Sequence, residues 1–248
     1  MKRLFILFFC ALMAVSAAAA EDAPAREPLP DAALYAYYDR SLIVGDSLIV
    51  IFRNHVRVEQ SENPAFFAGA RFYAVASYTL RTATHESASG SGPHLKYSGM
   101  DVSLAWLMGE LKPRRVFLHA GLNDDIHDHI DRADEWIDKI MALRDRYSPD
   151  TEMGFFSLTP VTRKIGPRRQ RLHDEYNVWL EEKCAAVGAV FVDIASGLKG
   201  EDGFLRDDLS SDGEFHLNGR GNAIWAREML DFARSRYEAG LWDPAEPD

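Results

Sequence analysis

Short apolar runs alternate along this chain with longer stretches of helical period, and no other feature narrows the choice of fold so far. The runs Ser41–Val44, Phe72–Ala76, Arg115–Ala120, Gly154–Leu158 and Ala189–Ile194 read as strands. Helical patterns cover Ser47–Val56, Met100–Leu111, Ile126–Tyr147, Arg168–Val187 and Gly221–Tyr237. A strand with no polar alternation, such as Ser41-Leu42-Ile43-Val44, must be covered on both faces. Strands separated by helices imply right-handed crossovers and a parallel sheet. In such sheets the functional site forms beyond the carboxyl ends of the strands, so the loops leaving them are the place to look.

The 248 residues suit one such domain. With 47% of them apolar, a large core needs no disulfide or metal to hold it. The first 20 residues read differently. Lys2 and Arg3 precede an apolar run from Leu4 to Val15, which gives way to small residues ending in Ala18-Ala19-Ala20. That is the layout of a signal peptide cleaved before Glu21. The run is short of the roughly 20 apolar residues that a membrane span requires. Cys10 lies inside the run rather than after it, so no lipid attachment is expected there. Residues 21–32, with Pro24, Pro28 and Pro30, read as a linker, and 33–248 as the domain. The expected protein is exported, periplasmic or secreted, with no membrane span after cleavage.

Loss of Lys2 and Arg3 would make the formal net charge of −10 two units more negative. So acidic a chain has little to offer nucleic acid, whose binding relies on Lys and Arg. Cys184 would remain as a lone cysteine on an apolar helix face, which reads as core.

Three segments carry residues suited to chemistry, each at or near a strand end. Gly45-Asp46-Ser47 follows the first strand directly. A serine at a strand-to-helix turn projects its hydroxyl from the sheet edge beside backbone N–H groups that stabilise negative charge. The plain alternative is a helix cap, which Asp and Ser both favour. Gly121-Leu122-Asn123-Asp124 follows the third strand. Its asparagine can aim an amide at an oxyanion, or cap a helix. Ser211-Asp212-Gly213-Glu214-Phe215-His216 lies in the last loop before the C-terminal helix and sets a histidine among acidic residues, the material of a general base and its orienting carboxylate.

In content and in order, these segments resemble the SGNH (GDSL) hydrolase superfamily, over Ser41 to about Tyr237. The resemblance implies a flavodoxin-like three-layer α/β/α sandwich with a central, mainly parallel five-stranded sheet. It also implies metal-free ester hydrolysis that needs no cofactor. Carried over, Ser47 is the nucleophile, His216 its base and Asp212 the orienting carboxylate. Asn123 and the Ser47 N–H are oxyanion donors. The sequence departs from the family in two places. Asp212 and His216 stand four apart where the family spacing is three, with Glu214 and Asp208 as substitutes. A turn brings positions three or four apart together, so the pair can survive. The second departure is in Ala74-Val75-Ala76-Ser77-Tyr78-Thr79, which lacks the glycine whose N–H completes the family's oxyanion hole. If Thr79 matches the family's threonine, Ser77 takes the glycine position; Tyr78 is the other candidate. A backbone N–H survives the change, provided no positive φ is required.

Two further clusters stand out. Asp124, Asp125, His127, Asp128, His129 and Asp131 have the composition of a metal site. His127 and His129 would point to different sides of a helix, however, and acidic residues favour its first turn, so no metal is expected. Arg163, Lys164, Arg168, Arg169 and Arg171 form a basic island, read as a solvated helix start or as a contact for an anionic substrate or polymer. The expected function is hydrolysis of a small-molecule or glycan ester, of the carbohydrate O-deacetylase or lysophospholipase kind. The rival readings are a catalytically weak member that binds a cell-envelope polysaccharide, and a phosphate-binding domain. The last lacks a glycine-rich loop and leaves His216 unexplained.

Overall fold

The computed structural model describes residues 26–89, 92–124 and 130–245. The expected signal peptide and residues 21–25 of the expected linker lie outside them, as do Asp125, His127, Asp128 and His129 of the acidic and histidine-bearing cluster. The chain opens with α1 (Asp31–Leu34), β1 (Ser41–Gly45), α2 (Ser47–Glu59), β2 (Arg71–Ala74) and the short α3 (Leu80–Ala83). A hairpin of β3 (Leu95–Tyr97) and β4 (Met100–Val102) precedes α4 (Leu104–Leu111). Then come β5 (Arg115–His119), α5 (Ile130–Tyr147), β6 (Glu152–Phe156), α6 (Pro167–Val187), β7 (Val190–Val192) and α7 (Gly219–Glu238).

The main sheet runs β2-β1-β5-β6-β7, and every pairing in it is parallel. Alternate side chains of its strands feed two separate cores. Leu42, Val44, Val116, Leu118, Met153 and Phe155 face α4, α5 and α6, where Leu107, Ile137, Ile140 and Leu180 close the layer. Ile43, Phe117, Phe156 and Val192 face α2 and α7, against Phe52, Val56, Trp225 and Met229. The result is the three-layer α/β/α sandwich with five parallel strands. The chain moves from β1 to β2 on one side and then crosses to β5 on the other, so strand order reverses between β1 and β5. That crevice is where open α/β sheets hold their ligands.

Several boundaries differ from the sequence reading. Met100–Val102 is not the start of a helix but a strand, paired antiparallel with Leu95–Tyr97. Ser98 and Gly99 between them both have positive φ, 48° and 85°, as a tight hairpin turn requires. Ser103 then caps α4 by accepting the Trp106 N–H at 3.0 Å. The fourth main-sheet strand, β6, begins and ends two residues before the expected Gly154–Leu158. Within the expected linker α1 begins at Asp31, and Arg26 is already tied to Asp243 at 3.1 Å.

Candidate active site

The turn from β1 into α2 is tight. A Cβ on Gly45 would lie 2.5 Å from the His119 carbonyl oxygen and 2.6 Å from Ile49 Cγ1, so β1 can approach β5 here only without a side chain. Asp46 caps α2, accepting the Leu48 N–H at 3.0 Å. Ser47 opens the helix, half-buried, with an N–H that has no intrahelical acceptor. The cap and the projecting serine are therefore features of one turn.

The loop before α7 brings His216 to that serine. Ser47 Oγ lies 3.0 Å from His216 Nε2, and His216 Nδ1 lies 2.6 Å from Asp212 Oδ2. The loop winds around the Asp212 carboxylate, whose Oδ1 accepts the N–H groups of Glu214, Phe215 and His216 at 2.8, 3.2 and 3.3 Å. This wrap closes the four-residue spacing between Asp212 and His216. Partial burial pushes the Asp212 carboxyl up. Hydrogen bonds from the His216 side chain, the Glu214 N–H and the Ser210 hydroxyl outweigh this and hold it at about 2. Asp212 is thus an anion at neutral pH, able to accept a hydrogen bond from Nδ1–H. The loop is clasped from β6's side by Thr162, whose N–H donates to the Glu214 carbonyl and whose hydroxyl donates to the Gly213 carbonyl.

The substitutes for Asp212 point elsewhere. Glu214 pairs with Lys164 at 2.8 Å, and Asp208 with Arg206 and Arg220. Arg163 pairs with Asp202, which leaves Arg168, Arg169 and Arg171 exposed at the start of α6. The basic island is thus split between paired and solvated residues.

In the loop that follows β2, Ser77 has a φ of 62°. The position does require the left-handed region, so the proviso attached to the missing glycine fails and a serine carries the strain. The Ser77 N–H has no acceptor among the described residues, whereas that of Tyr78 donates to the Val75 carbonyl at 3.2 Å. Asn123 is exposed, and its amide donates to Asp46 Oδ2 at 3.1 Å and to the Tyr78 carbonyl at 3.3 Å. Asp124 is buried, accepts the Leu80 and Arg81 N–H groups and caps α3 from a distant loop. His119 belongs to none of the sequence motifs and lies at the end of the apolar strand β5. It is fully buried, with Nδ1 3.3 Å from Asp46 Oδ1.

The GDSL-like Lipase/Acylhydrolase family model matches residues 43–224. Among curated proteins, none matches the sequence. Several solved structures are similar. A GDSL-like lipase from Bacteroides thetaiotaomicron is 17% identical, with 81% of this chain and 90% of that one covered and a TM-score of 0.56. A variant of an acetyl-xylooligosaccharide esterase from Geobacillus stearothermophilus is 16% identical, covering 78% and 93%, with a TM-score of 0.53. A member of the lipolytic G-D-S-L family from Veillonella parvula is also 16% identical, covering 77% and 96%, with a TM-score of 0.52. At these identities the likeness speaks for the fold.

Proposed function

As this chain belongs to the GDSL-like lipase/acylhydrolase family, we propose that it hydrolyses esters through an acyl-enzyme formed on Ser47. One observation carries the reading: a serine hydroxyl 3.0 Å from His216 Nε2, whose other nitrogen lies 2.6 Å from an ionised Asp212. His216 takes the Ser47 proton as Oγ attacks the ester carbonyl, and then protonates the departing alcohol. Asp212 accepts the Nδ1–H, fixes the tautomer and stabilises the charged ring. The N–H groups of Ser47 and Ser77 face the developing oxyanion, joined by the Asn123 amide, whose longer bond to the Tyr78 carbonyl is the one given up. Water, activated by His216, then releases the acid.

The site opens to solvent: Ser47 is half-buried, and Asp212 and Asn123 are exposed. Such a site suits a short acyl group on a bulky polar alcohol, and the fold shared with an acetyl-xylooligosaccharide esterase supports a carbohydrate acetyl ester. The charged start, apolar run and Ala18-Ala19-Ala20 support export of this activity, with a mature N-terminus at Glu21 that sequencing of exported protein would detect. For the activity itself, p-nitrophenyl acetate and an acetylated xylo-oligosaccharide are given to the wild type and to Ser47→Ala. The wild type hydrolyses both, and Ser47→Ala falls by at least about a thousand-fold in kcat. Equal rates in the two proteins would refute the mechanism.

A further inference from the structure

We infer that His119 is a positioning residue for this reaction, acting through Asp46 on the groups that flank the nucleophile; the inference rests on the reading of Ser47 given above. His119 ends β5 on the same face as Phe117, and its ring lies 5.3 Å from that of Trp225. Both His119 and Asp46 are fully buried. A carboxylate only accepts hydrogen bonds, so the nitrogen facing Asp46 carries the hydrogen.

Asp46 is the hub of this arrangement. Its Oδ1 takes the Leu48 N–H at 3.0 Å and His119 Nδ1 at 3.3 Å, and its Oδ2 takes the Asn123 amide at 3.1 Å. One buried carboxylate thus joins the first turn of α2, the end of β5 and the side chain proposed as an oxyanion donor. Without His119 it keeps two donors, one on each oxygen, and its plane is free to swing. A swing displaces the Asn123 amide on one side and the turn that carries Ser47 on the other.

The other nitrogen of the same ring argues against a purely structural role. Nε2 of His119 is buried and has no hydrogen-bond partner among the described residues. Buried polar atoms are nearly always paired, and an apolar side chain would fill this space against Trp225 without an orphaned nitrogen. Packing accounts for the ring's bulk. The bond to Asp46 accounts for its being a histidine.

The two amide substitutions separate these roles. Asparagine places an N–H where Nδ1 now stands, whereas glutamine reaches toward Nε2. Steady-state hydrolysis of p-nitrophenyl acetate is measured for wild type, His119→Asn, His119→Gln and His119→Leu, with rates referred to the folded fraction from circular dichroism melts. His119→Leu and His119→Gln lose about ten-fold or more in kcat with KM within two-fold, and His119→Asn stays within about three-fold of wild type. If His119 acts through the Asp46–Asn123 contact, His119→Leu also costs little more in an Asn123→Ala background. Equal kcat in the asparagine and leucine variants, or fully additive losses with Asn123→Ala, would overturn the inference. Should Ser47→Ala be inactive while every His119 variant matches wild type, only this inference falls. Should Ser47→Ala keep wild-type activity, the reading of the site falls first.

Discussion

Ser77 and Asp212 show what a single side chain changes in this site. At Ser77 the left-handed backbone costs an L-residue about 1–2 kcal/mol, and relief by glycine is partly offset by about 0.4–1 kcal/mol of added unfolded-state entropy. Ser77→Gly is therefore expected to leave stability unchanged or raise it by up to about 1.6 kcal/mol and to keep or raise activity; a folded variant that loses activity would assign the hydroxyl a role. At Asp212, the carboxylate touches His216 while Glu214 is held by Lys164. Asp212→Asn is expected to lower kcat by at least about a hundred-fold and Glu214→Gln by far less, in assays with p-nitrophenyl acetate. A larger loss from Glu214→Gln would reverse that assignment. Ser47, Asp212, His216 and Asn123 could be singled out in the sequence because each sits in a short motif at or near a strand end. Asp46 could be read there only as a cap, and His119 only as core, because their contact joins strands that are distant in sequence.

Among the elements, the junction of β1 with α2 is the most constrained. Gly45→Ala would press a methyl group onto the His119 carbonyl oxygen and Ile49. Overpacking of this kind costs about 1–3 kcal/mol, and it would shift the turn that carries Ser47. Urea unfolding should register the lost stability, together with a drop in kcat. Unchanged stability would mean that β1 and β5 have slack here. The long helices and the main-sheet strands were legible because their apolar periods extend over many residues. The hairpin was not: β3 and β4 are three residues each, too short for a period, and the Ser98-Gly99 turn was their only signal. The capping of α3 by Asp124 was hidden for another reason, since cap and helix are about forty residues apart.

Across the whole molecule, the order of strands and helices fixed the layers, and the reversal between β1 and β5 gathers the loops of the site at one sheet edge. The same gathering sets a pH dependence of stability. Burial pushes the Asp124 carboxyl up to about 6, opposed by backbone hydrogen bonds from Leu80 and Arg81 and assisted by the charge of Asp46. In the unfolded chain that carboxyl titrates near 4. Between these values the folded state holds a proton that the unfolded state has lost. The contribution is therefore greatest below about pH 4 and declines as pH rises to about 6, by roughly 3 kcal/mol. Denaturation at pH 4 and pH 7 should show the wild type losing about that much relative to Asp124→Asn; parallel curves would contradict it. The central claim, that Ser47 is the nucleophile, is tested most directly by treating the protein with a fluorophosphonate and locating the adduct by mass spectrometry. The account predicts one adduct per chain, on Ser47, absent from Ser47→Ala and strongly slowed in His216→Ala. No adduct on the folded wild type, or one that persists in Ser47→Ala, would contradict it.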